Sequence, residues 1–154
     1  MIICCDIDGV LADVRKYIKE YLPHDWKTYF AHTLKFPPIL PIAELLHSAN
    51  LRNSIYLVTG RPESNRNETL LWLHRFLPLL DILSPELLMR SDKDPRSGTE
   101  IKLEWFREIQ PDLIIDDSPD TAKAAAAAGF TVLQVHGFRA TPNDMVPEDY
   151  ILEE

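Results

Sequence analysis

The chain opens MIICCDIDGV, Met1 to Val10, and this run decides how the rest is read. Ile2 to Asp6 has the length and apolar character of one buried strand, and it ends in two aspartates, Asp6 and Asp8, with Gly9 behind them. The pattern returns at Leu113-Ile114-Ile115-Asp116-Asp117, a second apolar run closing on an acidic pair. Working outward, Ser54–Thr59, Leu87–Arg90 and Thr131–Val135 read as further strands. Helical patterns lie between them at Leu11–Tyr21, Ile42–Ser48, Ser64–Arg75, Thr99–Ile109 and Asp120–Ala128. Short apolar runs alternating with longer helices predict an α/β fold, a five-stranded parallel sheet with helices on both faces.

The 154 residues, 45% hydrophobic and 26% charged, suit a single domain spanning 1–154. His24 to Pro41, rich in aromatics and proline, reads as an irregular insertion, a small cap at about 20–45. Residues 139–154 read as an acidic tail. Cys4 and Cys5 are neighbours in an extended strand, so they point to opposite faces and are expected as reduced thiols. No basic segment precedes an apolar stretch and no apolar run reaches membrane-spanning length, which predicts a soluble, cytoplasmic protein without a membrane partner. The formal net charge of -8 repels nucleic acid and anionic lipid at long range, so an anionic substrate must be captured by local cations or a metal ion. The five histidines show no metal-binding spacing, which argues against zinc.

In an open parallel sheet the carboxyl ends of the strands line the ligand crevice, so both acidic pairs are expected at one site. Four carboxylates there repel one another unless a cation neutralises them, and oxygen-only ligands suit Mg2+. Asp6 and Asp8 share a face of the extended chain, so one carboxylate can attack phosphorus while the other handles the proton. A D-x-D-G segment standing alone would serve equally as a helix cap. Thr59-Gly60-Arg61 ends the second strand with a hydroxyl, a turn and a fixed cation, all suited to phosphate oxygens. Lys102 lies on a helical segment preceded by Arg90, Lys93 and Arg96.

Taken in order, Asp6-Ile7-Asp8-Gly9-Val10, Thr59-Gly60-Arg61, Lys102 and Ile114-Ile115-Asp116-Asp117 resemble the four motifs of the haloacid dehalogenase (HAD) phosphotransferases. The resemblance covers most of the chain and implies a Rossmannoid three-layer sandwich, Mg2+ and a phosphoaspartate intermediate. It would make Asp6 nucleophile and metal ligand, and Asp8 the general acid and base, its backbone carbonyl also reaching the metal. Thr59 and Lys102 would bind the phosphoryl group, and Asp116 and Asp117 would hold the metal. Met89-Arg90-Ser91-Asp92-Lys93-Asp94-Pro95-Arg96, with Glu100-Ile101-Lys102 and Asp116-Asp117-Ser118, is similar to the 3'-phosphatase domain of bacteriophage-type polynucleotide kinase. That likeness adds Arg61, Arg90 and Arg96 as phosphate-site candidates. No G-x-x-x-x-G-K-[ST] loop is present, and where the family carries an acid one turn before the lysine this chain has Gly98, with Glu100 the nearest acid.

The expected substrate is therefore a phosphomonoester: a nucleic-acid 3' end, a free deoxynucleotide, because Asp6 to Asp13 also resembles the opening of the cytosolic 5'(3')-deoxyribonucleotidases, or another small phosphate. Trp26, Tyr29 and Phe30 either stack on a base or form the insertion's own core. A phosphorylation-controlled receiver module is the alternative from another class, since it also assembles acids, a Thr and a Lys on a parallel sheet. The oligomeric state stays open.

Overall fold

The computed structural model describes residues 1–76 and 86–138, so residues 77–85 and the acidic tail expected at 139–154 lie outside the described residues. Five parallel strands form the sheet: β1 Ile2–Cys5, β2 Ser54–Pro62, β3 Glu86–Arg90, β4 Leu113–Asp116 and β5 Val132–Gln134, in the order β3-β2-β1-β4-β5. β1 sits at the centre, with Cys5 opposite Leu57 on one side and Ile115 on the other. That register brings the chain after Cys5, the Thr59 turn and Asp116 to one edge of the sheet. The strand order is that of a Rossmann-type sheet, whereas a receiver would place its strands 2-1-3-4-5.

The helices are α1 Arg15–Tyr21, α2 Trp26–Ala31, α3 Leu40–Asn50, α4 Arg66–Phe76, α5 Gly98–Ile109 and α6 Pro119–Ala127. Strand alternation divides the interior into two cores. Ile3, Cys5 and Leu57 pack with Ile18 of α1, Leu46 of α3 and Trp72 and Leu73 of α4. Cys4, Val58 and Ile114 pack with Phe106 of α5 and Ala125 of α6 on the opposite face. The two cysteines thus belong to different layers, both free and buried, and burial pushes the Cys4 thiol up to about 12.

The first helix begins at Arg15 rather than at Leu11, because the backbone of residues 7–13 is used otherwise. The Ile7 carbonyl accepts the amides of Val10, Leu11 and Ala12 in a tight turn, and Asp13 and Leu11 exchange bonds with Pro37 and Ile39. The segment read as irregular contains α2 and a 3-10 turn at Thr33–Lys35. On α4 the buried stripe is Thr69, Trp72 and Leu73, while Leu70 and Leu71 face solvent. β2 runs three residues past its expected end and carries a bulge between Thr59 and Pro62. Among the described residues no helix is long and apolar enough to cross a membrane.

Candidate active site

Asp6 leaves the end of β1 with its amide bonded to the Ile115 carbonyl of β4, which fixes it beside the second acidic pair. Ligating oxygens of Asp6, Asp116 and Asp117 lie within 4.8 Å of one another. Into this cluster α5 sends Lys102, whose Nζ is 2.8 Å from Asp6 Oδ2 and 2.7 Å from Asp116 Oδ2. α5 is held for this by a capping box in which Ser97 and Glu100 satisfy each other's donors. Glu100, the acid nearest to Lys102 in the sequence, is committed to that cap.

Three carboxylates, two of them buried, stand against one ammonium; with all three ionised two negative charges are uncompensated, which is the charge of one divalent cation. Burial pushes the Asp6 carboxyl up to about 8; Lys102 opposes the rise and Asp116 and Asp117 add to it. Burial alone would discharge Lys102, but Asp116 and Asp6 outweigh it and hold its pKa above the ordinary lysine range. Hard oxygen donors in a site this acidic fit magnesium. Gly9 is part of the same construction. It has φ +81°, and a Cβ there would stand 2.3 Å from Asp117 Oδ2. Only glycine lets the turn pass this close to that carboxylate.

Asp8 is kept apart from the cation cluster. Arg61 Nε and Nη2 donate to its two carboxylate oxygens at 2.9 and 2.6 Å, a fork-to-fork pair. The Arg61 side chain is fully buried, while that of Asp8 is 24% exposed. The β2 bulge re-aims Arg61 across the sheet edge to make this contact. Thr59 Oγ1 accepts the Arg61 amide, which leaves its own proton free to donate.

A cavity of about 420 Å³ opens over these groups, lined by Asp6, Asp8, Thr59, Gly60, Arg61, Arg90, Lys102 and Asp117. Its apolar lining comes from Val14, Ile18, Leu22, Trp26, Tyr29 and Phe30. Tyr29 is buried against Phe36 and Phe30, whereas Trp26 and Phe30 stack on each other and stay half-buried. Asp116 lies just behind the cavity, bonded to Lys102 and to the Ser118 amide. Arg90 spans three backbone carbonyls, those of Gly60, Asp94 and Arg96, and so ties the loop after β3 to the β2 turn. Arg96 is not among the residues lining the cavity and is paired with Asp94 and Glu104. Sequence reading missed Thr69, Asn65 and Thr33, which stand behind Arg61, and Thr121, which meets Thr99 at 3.0 Å on the cavity wall. Small polar residues on helices and 3-10 turns carry no signal of such contacts until the arginine's direction is known.

Residues 1–137 match the family described as the polynucleotide kinase PNKP phosphatase domain. Among solved structures, a chain of the Pnkp1/Rnl/Hen1 complex is 22% identical, with a TM-score of 0.67 over 87% of this chain and 45% of that one. The haloacid dehalogenase-like hydrolase SP0104 from Streptococcus pneumoniae is 14% identical, with a TM-score of 0.59 over 86% and 83% of the two chains. The class C acid phosphatase from Bacillus anthracis is 15% identical, with a TM-score of 0.58 over 99% and 73%. At these identities the structures share the fold, and this chain spans less than half of the Pnkp1/Rnl/Hen1 chain it matches. No curated protein matches the sequence significantly.

Proposed function

The chain belongs to the PNKP phosphatase-domain family of HAD-type phosphatases, and from that premise we propose that it hydrolyses phosphate monoesters at the 3' ends of nucleic-acid strands through a phosphorylated Asp6. The observation that carries the mechanism is the separation of two carboxylates only two residues apart. Asp6 sits inside the acidic cluster with Lys102, while Asp8 faces the same cavity on the arm of Arg61.

In the first step an Asp6 carboxylate oxygen forms a bond to phosphorus as the bond to the substrate's leaving oxygen breaks, and Asp8 gives that oxygen a proton. In the second step Asp8 takes a proton from water, whose oxygen bonds to phosphorus as the Asp6 ester bond breaks. Thr59 and Lys102 donate to the phosphoryl oxygens, and preorganised donors of this kind are worth about 3–4 kcal/mol each in the transition state. Asp6, Asp116 and Asp117 would hold Mg2+, with the Asp8 carbonyl as a further ligand. The ion's contribution is to neutralise charge on the transferring phosphoryl group.

The apolar wall supports a nucleoside as leaving group, with Trp26 and Phe30 offering half-buried ring surface beyond the phosphate end of the cavity. A free deoxynucleotide is the second reading. It is favoured by the engagement of the lining cations Arg61, Arg90 and Lys102 with groups of the protein itself. The test is phosphate release, with and without Mg2+, from a 3'-phosphorylated oligonucleotide, its 5'-phosphorylated isomer, and 3'- and 5'-deoxynucleoside monophosphates. The proposal expects the 3'-phosphorylated strand to lead, and a large preference for free nucleotides would overturn the strand-end assignment.

A further inference from the structure

Arg61 was expected at the phosphate, yet its donors point elsewhere. Two go to Asp8, and Nη1 donates to Thr69 Oγ1 at 3.1 Å. Behind Thr69 the chain of contacts continues to Asn65 Oδ1 at 3.2 Å, which Thr33 Oγ1 also reaches at 3.0 Å. Thr69 and Thr33 are wholly buried and Asn65 nearly so. The guanidinium carbon lies 5.5 Å from the Phe36 ring centre and 6.0 Å from that of Trp72, whose indole N–H is bonded to the Phe36 carbonyl. A cation is thus set rigidly in the protein interior, and the charged group in contact with it at the cavity is Asp8.

We infer that Arg61 is a positioning residue for proton transfer: it holds Asp8 out of the cation cluster and aims it at the leaving oxygen, and Thr69, Asn65 and Thr33 hold Arg61. The inference rests on the reading above that Asp8 is the proton donor. Two physical consequences support it. Asp8 follows Asp6 by two residues, and a loose carboxylate there would be drawn to a divalent ion among Asp6, Asp116 and Asp117, where it could no longer deliver a proton. Proton donation also leaves a negative charge on Asp8 that falls directly onto a guanidinium already in contact, with no reorganisation needed. Because Thr33 belongs to the turn after α2, the fold of that segment is mechanically joined to the proton-transfer group.

Leaving-group chemistry separates this role from phosphate binding. The alkoxide of a nucleoside 3'-phosphate leaves poorly without a proton, whereas the nitrophenolate of 4-nitrophenyl phosphate needs little help. The readout is kcat/KM, which reports the steps through phosphoenzyme formation, measured for both substrates with saturating Mg2+ at a temperature where circular dichroism shows each variant folded. Arg61→Lys is expected to lose about 100-fold on the nucleoside 3'-phosphate, the low end of what general acid catalysis contributes, and Thr69→Val about tenfold, a partial loss, while the aryl phosphate changes by less than about threefold. Thr69→Ser, which keeps the hydroxyl, should restore the rate. Asp8→Asn is run beside them. If it lacks the split between substrates, the assignment of Asp8 as proton donor fails. If Asp8→Asn shows the split but Arg61→Lys and Thr69→Val slow both substrates equally, the positioning role of Arg61 is overturned. Should Arg61→Lys not fold, the Thr69 pair decides alone.

Discussion

Replacing Asp8 by asparagine, the obvious way to silence a proton donor, is expected to lower the stability of this protein as well as its rate. The reason is Arg61, whose side chain has no solvent exposure and whose charge is met by Asp8 at 2.6 and 2.9 Å. Removing one partner of a buried ion pair costs about 3–5 kcal/mol, because the other charge stays buried and uncompensated. Asn still offers one acceptor oxygen, and the partial exposure of position 8 admits some water, so the loss should fall at or just below the lower end of that range, about 2–3 kcal/mol. For a chain of this size that corresponds to a drop in Tm of about 5–10 °C. Calorimetry of the metal-free protein at neutral pH measures it directly. The double variant Asp8→Asn/Arg61→Met should recover at least half of the loss, since no orphaned charge remains. Asp6→Asn gives the opposite sign: it thins a crowded acidic cluster, and the metal-free Tm should hold or rise. An Asp8→Asn protein melting within about 2 °C of the parent, or a double variant less stable than the single one, would refute the reasoning.

Magnesium affinity should depend on pH through Asp6, whose carboxyl stands near 8 in the folded protein against an ordinary value of 3.8. Between those values the folded state holds a proton that the unfolded chain has lost, so the metal-free protein loses stability as pH rises through this window. Mg2+ must displace that proton, and calorimetric titration should show Kd tightening about tenfold per unit from pH 6 toward 8; a flat profile contradicts the assignment. Gly9→Ala would place a Cβ 2.3 Å from Asp117 Oδ2 at a positive φ. It should cost about 1–2 kcal/mol in stability and weaken Mg2+ binding by at least about tenfold, read by melting and titration of one sample. Arg96→Ala, which removes a half-exposed side chain off the cavity, should leave kcat/KM within about twofold; a loss of 100-fold would return Arg96 to the phosphate site.

The fold was legible because its strands are short apolar runs whose ends carry the chemistry. Asp6, Asp8, Asp116 and Asp117 could be placed at one sheet edge from the rule that parallel strands present their carboxyl ends to the ligand, and the register of β1 with β2 and β4 agrees. Side-chain direction was less legible. Arg61 and Arg96 are the same residue type beyond expected strand ends, yet Arg61 lies at the irregular end of β2 and pairs with Asp8, while Arg96 pairs with Asp94 and Glu104 away from the cavity. Bulges leave no periodic trace in a strand this short. The start of α1 was missed for a related reason: Leu11 to Asp13 have helical spacing, but their backbone groups are taken by the turn after Gly9 and by Pro37 to Ile39. Trp26, Tyr29 and Phe30 pack on one another and all three line the cavity, Tyr29 the most buried of them, so sequence alone could not separate a core role from a surface one.

The central claim is that phosphate passes through Asp6, and the most direct measurement traps it there. The unsubstituted enzyme mixed with a 3'-phosphorylated oligonucleotide and Mg2+ is quenched in acid within milliseconds, reduced with borohydride, and its N-terminal peptide sequenced by mass spectrometry. Borohydride converts an aspartyl phosphate to homoserine. The account predicts homoserine at position 6 alone, dependent on substrate; an unreduced Asp6 alongside continued phosphate release, or homoserine at position 8, would contradict it.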